Sequence, residues 1–179
     1  GAYVDARGQS FRDFLAGKLP ALPGEMPTLS DWGDHLTTIF PEARIKKFIE
    51  MRGADGGPWR RLCALPALWV GLLYDQSALD AAWDLCRDWT AGERDQLRHD
   101  AARLGLKAEI RGRTMQALAA EVLDIAEAGL KARAQASAFD RDETHFLNAL
   151  REIATSGQTP ADELLARYFN DWHRDLSKI

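Results

Sequence analysis

Cysteine is scarce in this chain: Cys63 and Cys86 are the only two among 179 residues. No Cys-x-x-Cys spacing occurs. That excludes a disulfide-stapled scaffold and the common zinc modules, and it makes a reducing cytoplasm the expected home. An excess of basic charge is missing too. Lys and Arg total 23 against 27 Asp and Glu, a formal net charge of −4, with no basic tract. Nucleic-acid surfaces need concentrated positive charge to displace counterions, so no nucleic-acid partner is expected. The longest apolar run, Leu62 to Tyr74, is too short to cross a bilayer and carries Pro66, so no membrane partner is expected either. No segment reads as a secretory signal. The four histidines, His35, His99, His145 and His173, lie in separate segments without metal-ligand spacing.

What remains is the composition of a globular domain able to bury a core, 46% hydrophobic and 28% charged. The pattern is mostly helical. Ser10 can cap a short helix over Phe11–Ala16, and Pro20, Pro23 and Pro27 then hold an extended rim loop. Thr28 or Ser30 opens a helix to about Phe40, expected to bury Leu29, Trp32, Leu36 and Ile39. A helix after Pro58 is expected to run to Leu73, interrupted at Pro66, with Cys63 inside it as an inert buried thiol. Ser77 is read as the start of the next helix, to Trp89. Thr90 and Glu93 form a capping box for a further one. Thr114 opens a long helix over Met115–Ala134, and Gln135–Asp142 reads as a polar loop. Further helices are predicted over Glu143–Ala154 and, after Thr159 and Pro160, over Ala161–Leu176. Trp32, Trp69 and Trp83 are predicted in the core.

One strand is predicted, over Ile45–Arg52. Alternation places Arg44, Lys46, Phe48, Glu50 and Arg52 on one face, with Glu50 and Arg52 about 6–7 Å apart along it. It runs into Gly53-Ala54-Asp55-Gly56-Gly57, where glycines permit a sharp turn or close approach to a ligand. This is no P-loop, because the Lys-Ser/Thr ending is absent. A carboxylate beside a guanidinium suits Mg-bound phosphate: the first is a hard metal ligand, the second a planar fork for phosphoryl oxygens. From local chemistry alone, the same pair reads first as a solvated cross-strand ion pair. Arg60 and Arg61, in a first helical turn where positive charge is disfavoured, point to a partner, either a structural carboxylate or a phosphate.

The run from Phe48-Ile49-Glu50-Met51-Arg52-Gly53-Ala54-Asp55-Gly56-Gly57-Pro58-Trp59-Arg60-Arg61 to Leu72-Leu73-Tyr74-Asp75 resembles the signature of glutamate–cysteine ligases of the plant and proteobacterial type. The likeness extends upstream through Leu19-Pro20-Ala21-Leu22-Pro23-Gly24 and His35–Glu42, and downstream through Gly105-Leu106-Lys107 and Thr159–Leu165. The resemblance implies ATP-dependent joining of the γ-carboxylate of glutamate to the amine of cysteine through γ-glutamyl phosphate. It implies Mg²⁺ as cofactor, with glutamate, cysteine and ATP as partners. Arg52 would be the catalytic group stabilising phosphoryl transfer and Glu50 a metal ligand, with Asp55 and Trp59 flanking the site. The implied fold is α+β, mostly helical, part of a glutamine-synthetase-like antiparallel sheet cradled by helices. Residues 1–179 are expected to form a single domain, the C-terminal portion of a larger ligase whose N-terminal portion completes the metal site. Residues 1–75 would carry the motif and residues 76–179 a helical region. Two other readings stay open: a non-catalytic helical docking or dimerisation piece, and a carboxylate–amine ligase using another amine. The oligomeric state is left open.

Overall fold

A computed structural model describes residues 3–136 and 142–178, which fall into two compact units, Gly1–Ala54 and Asp55–Ile179. The first unit opens with α1 (Phe11–Leu15), where the Ser10 hydroxyl accepts the Arg12 N–H at 3.2 Å. The proline-rich segment then folds back on itself: the Gly24 N–H donates to the Gly17 carbonyl at 3.0 Å. Both glycines have positive φ, 67° and 83°, which side chains with a Cβ adopt reluctantly. Thr28 and Asp31 form a reciprocal capping box that starts α2 (Leu29–Thr37). Phe11 stacks on His35 of α2 with ring centroids 4.0 Å apart.

The expected burial of α2 is not realised. Leu29, Trp32, Leu36 and Ile39 are 89%, 43%, 47% and 57% exposed, because no second layer among the described residues of this unit covers that stripe. Leu19 is the one buried hydrophobic side chain described in this unit.

The single strand predicted over Ile45–Arg52 is a hairpin. β1 (Ala43–Ile45) and β2 (Ile49–Met51) pair antiparallel, with Arg44 opposite Glu50 and Ile45 opposite Ile49. The chain reverses over Lys46–Phe48, closed by the Lys46 N–H donating to the Phe48 carbonyl at 2.8 Å. Alternation does not detect such a reversal. Residues an even number apart share a face in a straight strand and also across a symmetric hairpin.

The second unit is helical. α3 (Trp59–Leu62) gives way at Cys63 to α4 (Ala64–Leu73), so the break falls before Pro66 rather than at it. Pro66 then sits in the first turn of α4, where a missing N–H costs nothing. Cys63, at that joint, is exposed, contrary to the buried thiol expected, while Ala64 and Ala67 face inward. Asp75, not Ser77, caps α5 (Gln76–Cys86), accepting the Ala78 N–H at 2.9 Å. The Thr90–Glu93 capping box starts α6 (Ala91–Leu104) as predicted. A second hairpin, absent from the sequence reading, follows: β3 (Glu109–Ile110) and β4 (Arg113–Thr114), turning on Arg111 and Gly112, both with positive φ.

Thr114 caps α7 (Met115–Arg133), close to its predicted span. Of the predicted loop Gln135–Asp142, residues 137–141 lie outside the described residues. A 3₁₀ turn at Glu143–Leu147 leads into α8 (Asn148–Ser156), and a Thr159–Asp162 capping box into α9 (Pro160–Ala166). A π turn, Arg167–Asp171, continues α9, and the chain leaves helix well before Leu176, with positive φ at His173 and Arg174.

α4 crosses α7 at the centre of this unit. Ala67, Leu72, Leu123, Ala126, Leu130, Leu147 and Ala154 form the main core. Leu130 and Leu147 are almost wholly buried, each contributing about 1.5–3 kcal/mol from burial. Gly71 and Gly129 let the two helices touch backbone to backbone. A Cβ on Gly71 would lie 2.8 Å from the Ala126 carbonyl carbon, and one on Gly129 would lie 3.0 Å from the Ala78 Cβ. A second cluster, Leu97, Ala108, Ile110 and Leu118, ties α6 and the β3–β4 hairpin to α7. Of the tryptophans predicted in the core, Trp69 is partly buried, whereas Trp32 and Trp83 are exposed. The class is α+β with helix dominating and two small antiparallel sheets among the described residues.

Candidate functional site

The β1–β2 hairpin sets Arg44 directly across from Glu50. The Arg44 guanidinium holds the Glu50 carboxylate through Nε at 2.8 Å and Nη2 at 2.7 Å. The ion pair foreseen as the alternative reading therefore exists, but its cation is Arg44 and not Arg52. Both contacts fall on Oε2, so Oε1 accepts no hydrogen bond from the described residues. The Arg44 hydrogen bond holds the Glu50 carboxyl below the usual carboxylate range. Partial burial opposes this, and the charges of Arg44, Lys46 and Arg52 add to it. Glu50 is consequently ionised at neutral pH.

Arg52 leaves the end of β2 differently. Its N–H donates to the Glu42 carbonyl at 2.7 Å, extending the hairpin by one rung, and its guanidinium carbon lies 5.2 Å from the centre of the Phe40 ring. Its Nη1 is buried and has no hydrogen-bond partner among the described residues. A buried guanidinium N–H without an acceptor is costly, and an anionic oxygen is the acceptor it suits best. Gly53 follows, where a Cβ would just meet the Glu42 side chain at 3.5 Å.

Glu50, Arg52, Arg44 and Phe40 thus come together in the first unit. Asp55 and Trp59 belong to the second, and both are exposed, Trp59 at 83%. Sequence reasoning put Arg44 on the right face but missed its pairing, and it missed Phe40. The Lys46-Lys47-Phe48 interruption between two apolar–charged alternations was the available signal for the reversal.

Mg²⁺ can be tested against these residues. No group of three His, Cys, Asp or Glu side chains among the described residues is placed to hold a metal. Glu50 is ionised and has a free oxygen, so it fits as one ligand of a cation and supplies no more than that. No single helix among the described residues is long and apolar enough to cross a membrane.

The family model for glutamate-cysteine ligase family 2 matches residues 1–178. The chain belongs to that family. It is 51% identical to the chloroplastic glutamate–cysteine ligase of Medicago truncatula over 177 residues, 99% of this chain and 34% of that protein. Against the enzyme of Brassica juncea the identity is 51% over 179 residues, all of this chain and 34% of the relative. Against that of Arabidopsis thaliana it is 51% over 177 residues, 99% and 33%. This ligase-family chain therefore spans about a third of the length of the curated relatives it matches. These relatives also correct one expectation. All three are chloroplastic by name, which conflicts with the cytoplasmic home inferred from scarce cysteine. Cysteine usage reports a reducing environment, not which reducing compartment supplies it.

Proposed function

We propose that the intact protein is a glutamate–cysteine ligase that uses ATP to activate the γ-carboxylate of glutamate, and that this chain is the C-terminal portion of it. The observation that carries the reading is the family match across nearly the whole chain. ATP transfers its terminal phosphoryl group to the glutamate side-chain carboxylate. The cysteine amine then attacks the acyl phosphate, the amide bond forms, and phosphate leaves.

The task of this chain is to hold an anion while charge builds on the transferring group. Arg52, braced by the Phe40 ring and the rung to Glu42, offers its unpaired Nη1 to a phosphoryl oxygen. Arg44 orients Glu50 through Oε2 and leaves Oε1 available as one metal ligand, the remaining ligands coming from outside this chain. Bound Mg²⁺ would neutralise phosphate charge. Asp55 and Trp59 follow Arg52 along the chain, in the glycine-rich stretch and at the start of α3. The larger sheet in this reading is glutamine-synthetase-like, with β1 and β2 as two of its strands.

Phosphate release by the intact protein, measured with glutamate, cysteine and MgATP and with each omitted in turn, tests the proposal. Release that needs all three is expected. Release that proceeds as well with another amine, or none at all, overturns it.

A further inference from the structure

The second unit contains a cavity of about 530 Å³ lined by Arg60, Arg61, Pro160, Glu163, Leu164 and Arg167, among others. These three arginines against one carboxylate concentrate positive charge in a chain whose net charge is −4. Arg60 is already engaged, its Nη1 2.7 Å from Glu152 Oε2. Arg61 and Arg167 make no ion pair among the described residues, and Arg61 Nε is buried without a hydrogen-bond partner. A neighbouring cavity, lined by Arg60, Arg151 and Glu152, offers a contrast. There Arg60 is matched by Glu152, and Arg151 by Asp124 and Glu127, so no cation is left over.

We propose that Arg61 and Arg167 form a binding site for the phosphate of a small phosphomonoester. Two planar guanidinium forks suit a tetrahedral dianion better than point charges would. The volume exceeds what inorganic phosphate fills, and Pro160 and Leu164 offer an apolar wall for the rest of the ligand. The proposal rests on this cavity and not on the ligase reading.

The probe is phenyl phosphate, with inorganic phosphate as the comparison, titrated calorimetrically into the intact protein at pH 8. All proteins carry Arg52→Lys, so that the hairpin contributes least. One phenyl phosphate per chain is expected, bound several-fold more tightly than inorganic phosphate. Adding Arg167→Gln should weaken binding at least tenfold, while adding Glu163→Gln, which removes the one opposing charge, should tighten it. Melting temperatures establish that each variant is folded. Absence of binding in the Arg52→Lys protein overturns the proposal, as does unchanged affinity in either added variant. Equal affinity for the two probes would overturn the phosphomonoester assignment.

Discussion

Arg52 keeps a guanidinium nitrogen buried without an acceptor, an arrangement that typically costs about 1–3 kcal/mol when nothing fills it. An anion that arrives only during the reaction recovers that cost where it counts for rate. Arg52→Lys keeps the charge and loses the fork. Turnover of the intact ligase should fall roughly a hundredfold, about 3 kcal/mol in the barrier, and excess Mg²⁺ should not restore it. Near-normal turnover in a folded Arg52→Lys protein would return the hairpin to a structural role. Glu50 should fail differently. Glu50→Gln retains the shape but weakens an oxygen ligand, so the Mg²⁺ concentration giving half-maximal rate should rise, with part of the lost rate recovered at high Mg²⁺. If Glu50 serves only to pair with Arg44, the Mg²⁺ dependence will not move.

Two contacts between elements carry predictions of their own. The α4–α7 crossing depends on two facing glycines, so Gly71→Ala or Gly129→Ala forces the helix backbones apart. Each should cost about 3 kcal/mol in denaturant unfolding, an overpacking penalty. A cost within 0.5 kcal/mol, the usual scatter of surface changes, would contradict that close approach. At the start of α6, Glu93 accepts from Arg111 and from Thr90, and its carboxyl falls from 4.5 to about 2, Arg111 being the largest cause. A depressed pKa stabilises the fold above the unfolded value and loses that effect as pH falls through the folded value. The melting-temperature gap between wild type and Glu93→Gln should therefore be constant near neutral pH and shrink as pH drops from about 4.5 toward about 2. A gap independent of pH would mean the pair does not contribute through its charge.

The chain as a whole spans about a third of its relatives, and its first unit leaves Leu29, Ile39, Phe40, Ile45, Phe48 and Ile49 more than half exposed. Apolar surface of that extent is what a missing layer leaves behind. The 179 residues alone should accordingly show no phosphate release at enzymic rates, on the order of 1 per second, with glutamate, cysteine and MgATP. They should also bind a hydrophobic dye that the intact ligase does not. Turnover by the isolated chain would show that its own residues complete the site.

Much of the local structure was legible before any coordinates. Ser10, Thr90, Thr114 and Thr159 each cap the helix they were expected to start, and Thr28 rather than Ser30 caps α2, because a cap acts on N–H groups two or three residues away. The α+β class and the family were legible for a similar reason: the motif that carries them is written in contiguous residues. The tertiary structure decided the rest. It turned one predicted strand into a hairpin, gave Glu50 to Arg44, moved the helix break from Pro66 to Cys63, and left the α2 stripe uncovered. It also brought Arg61 and Arg167 to one cavity from opposite ends of the second unit. Short-range order is set by neighbours along the chain, whereas burial and charge pairing depend on which distant surface arrives, and periodicity carries no record of that.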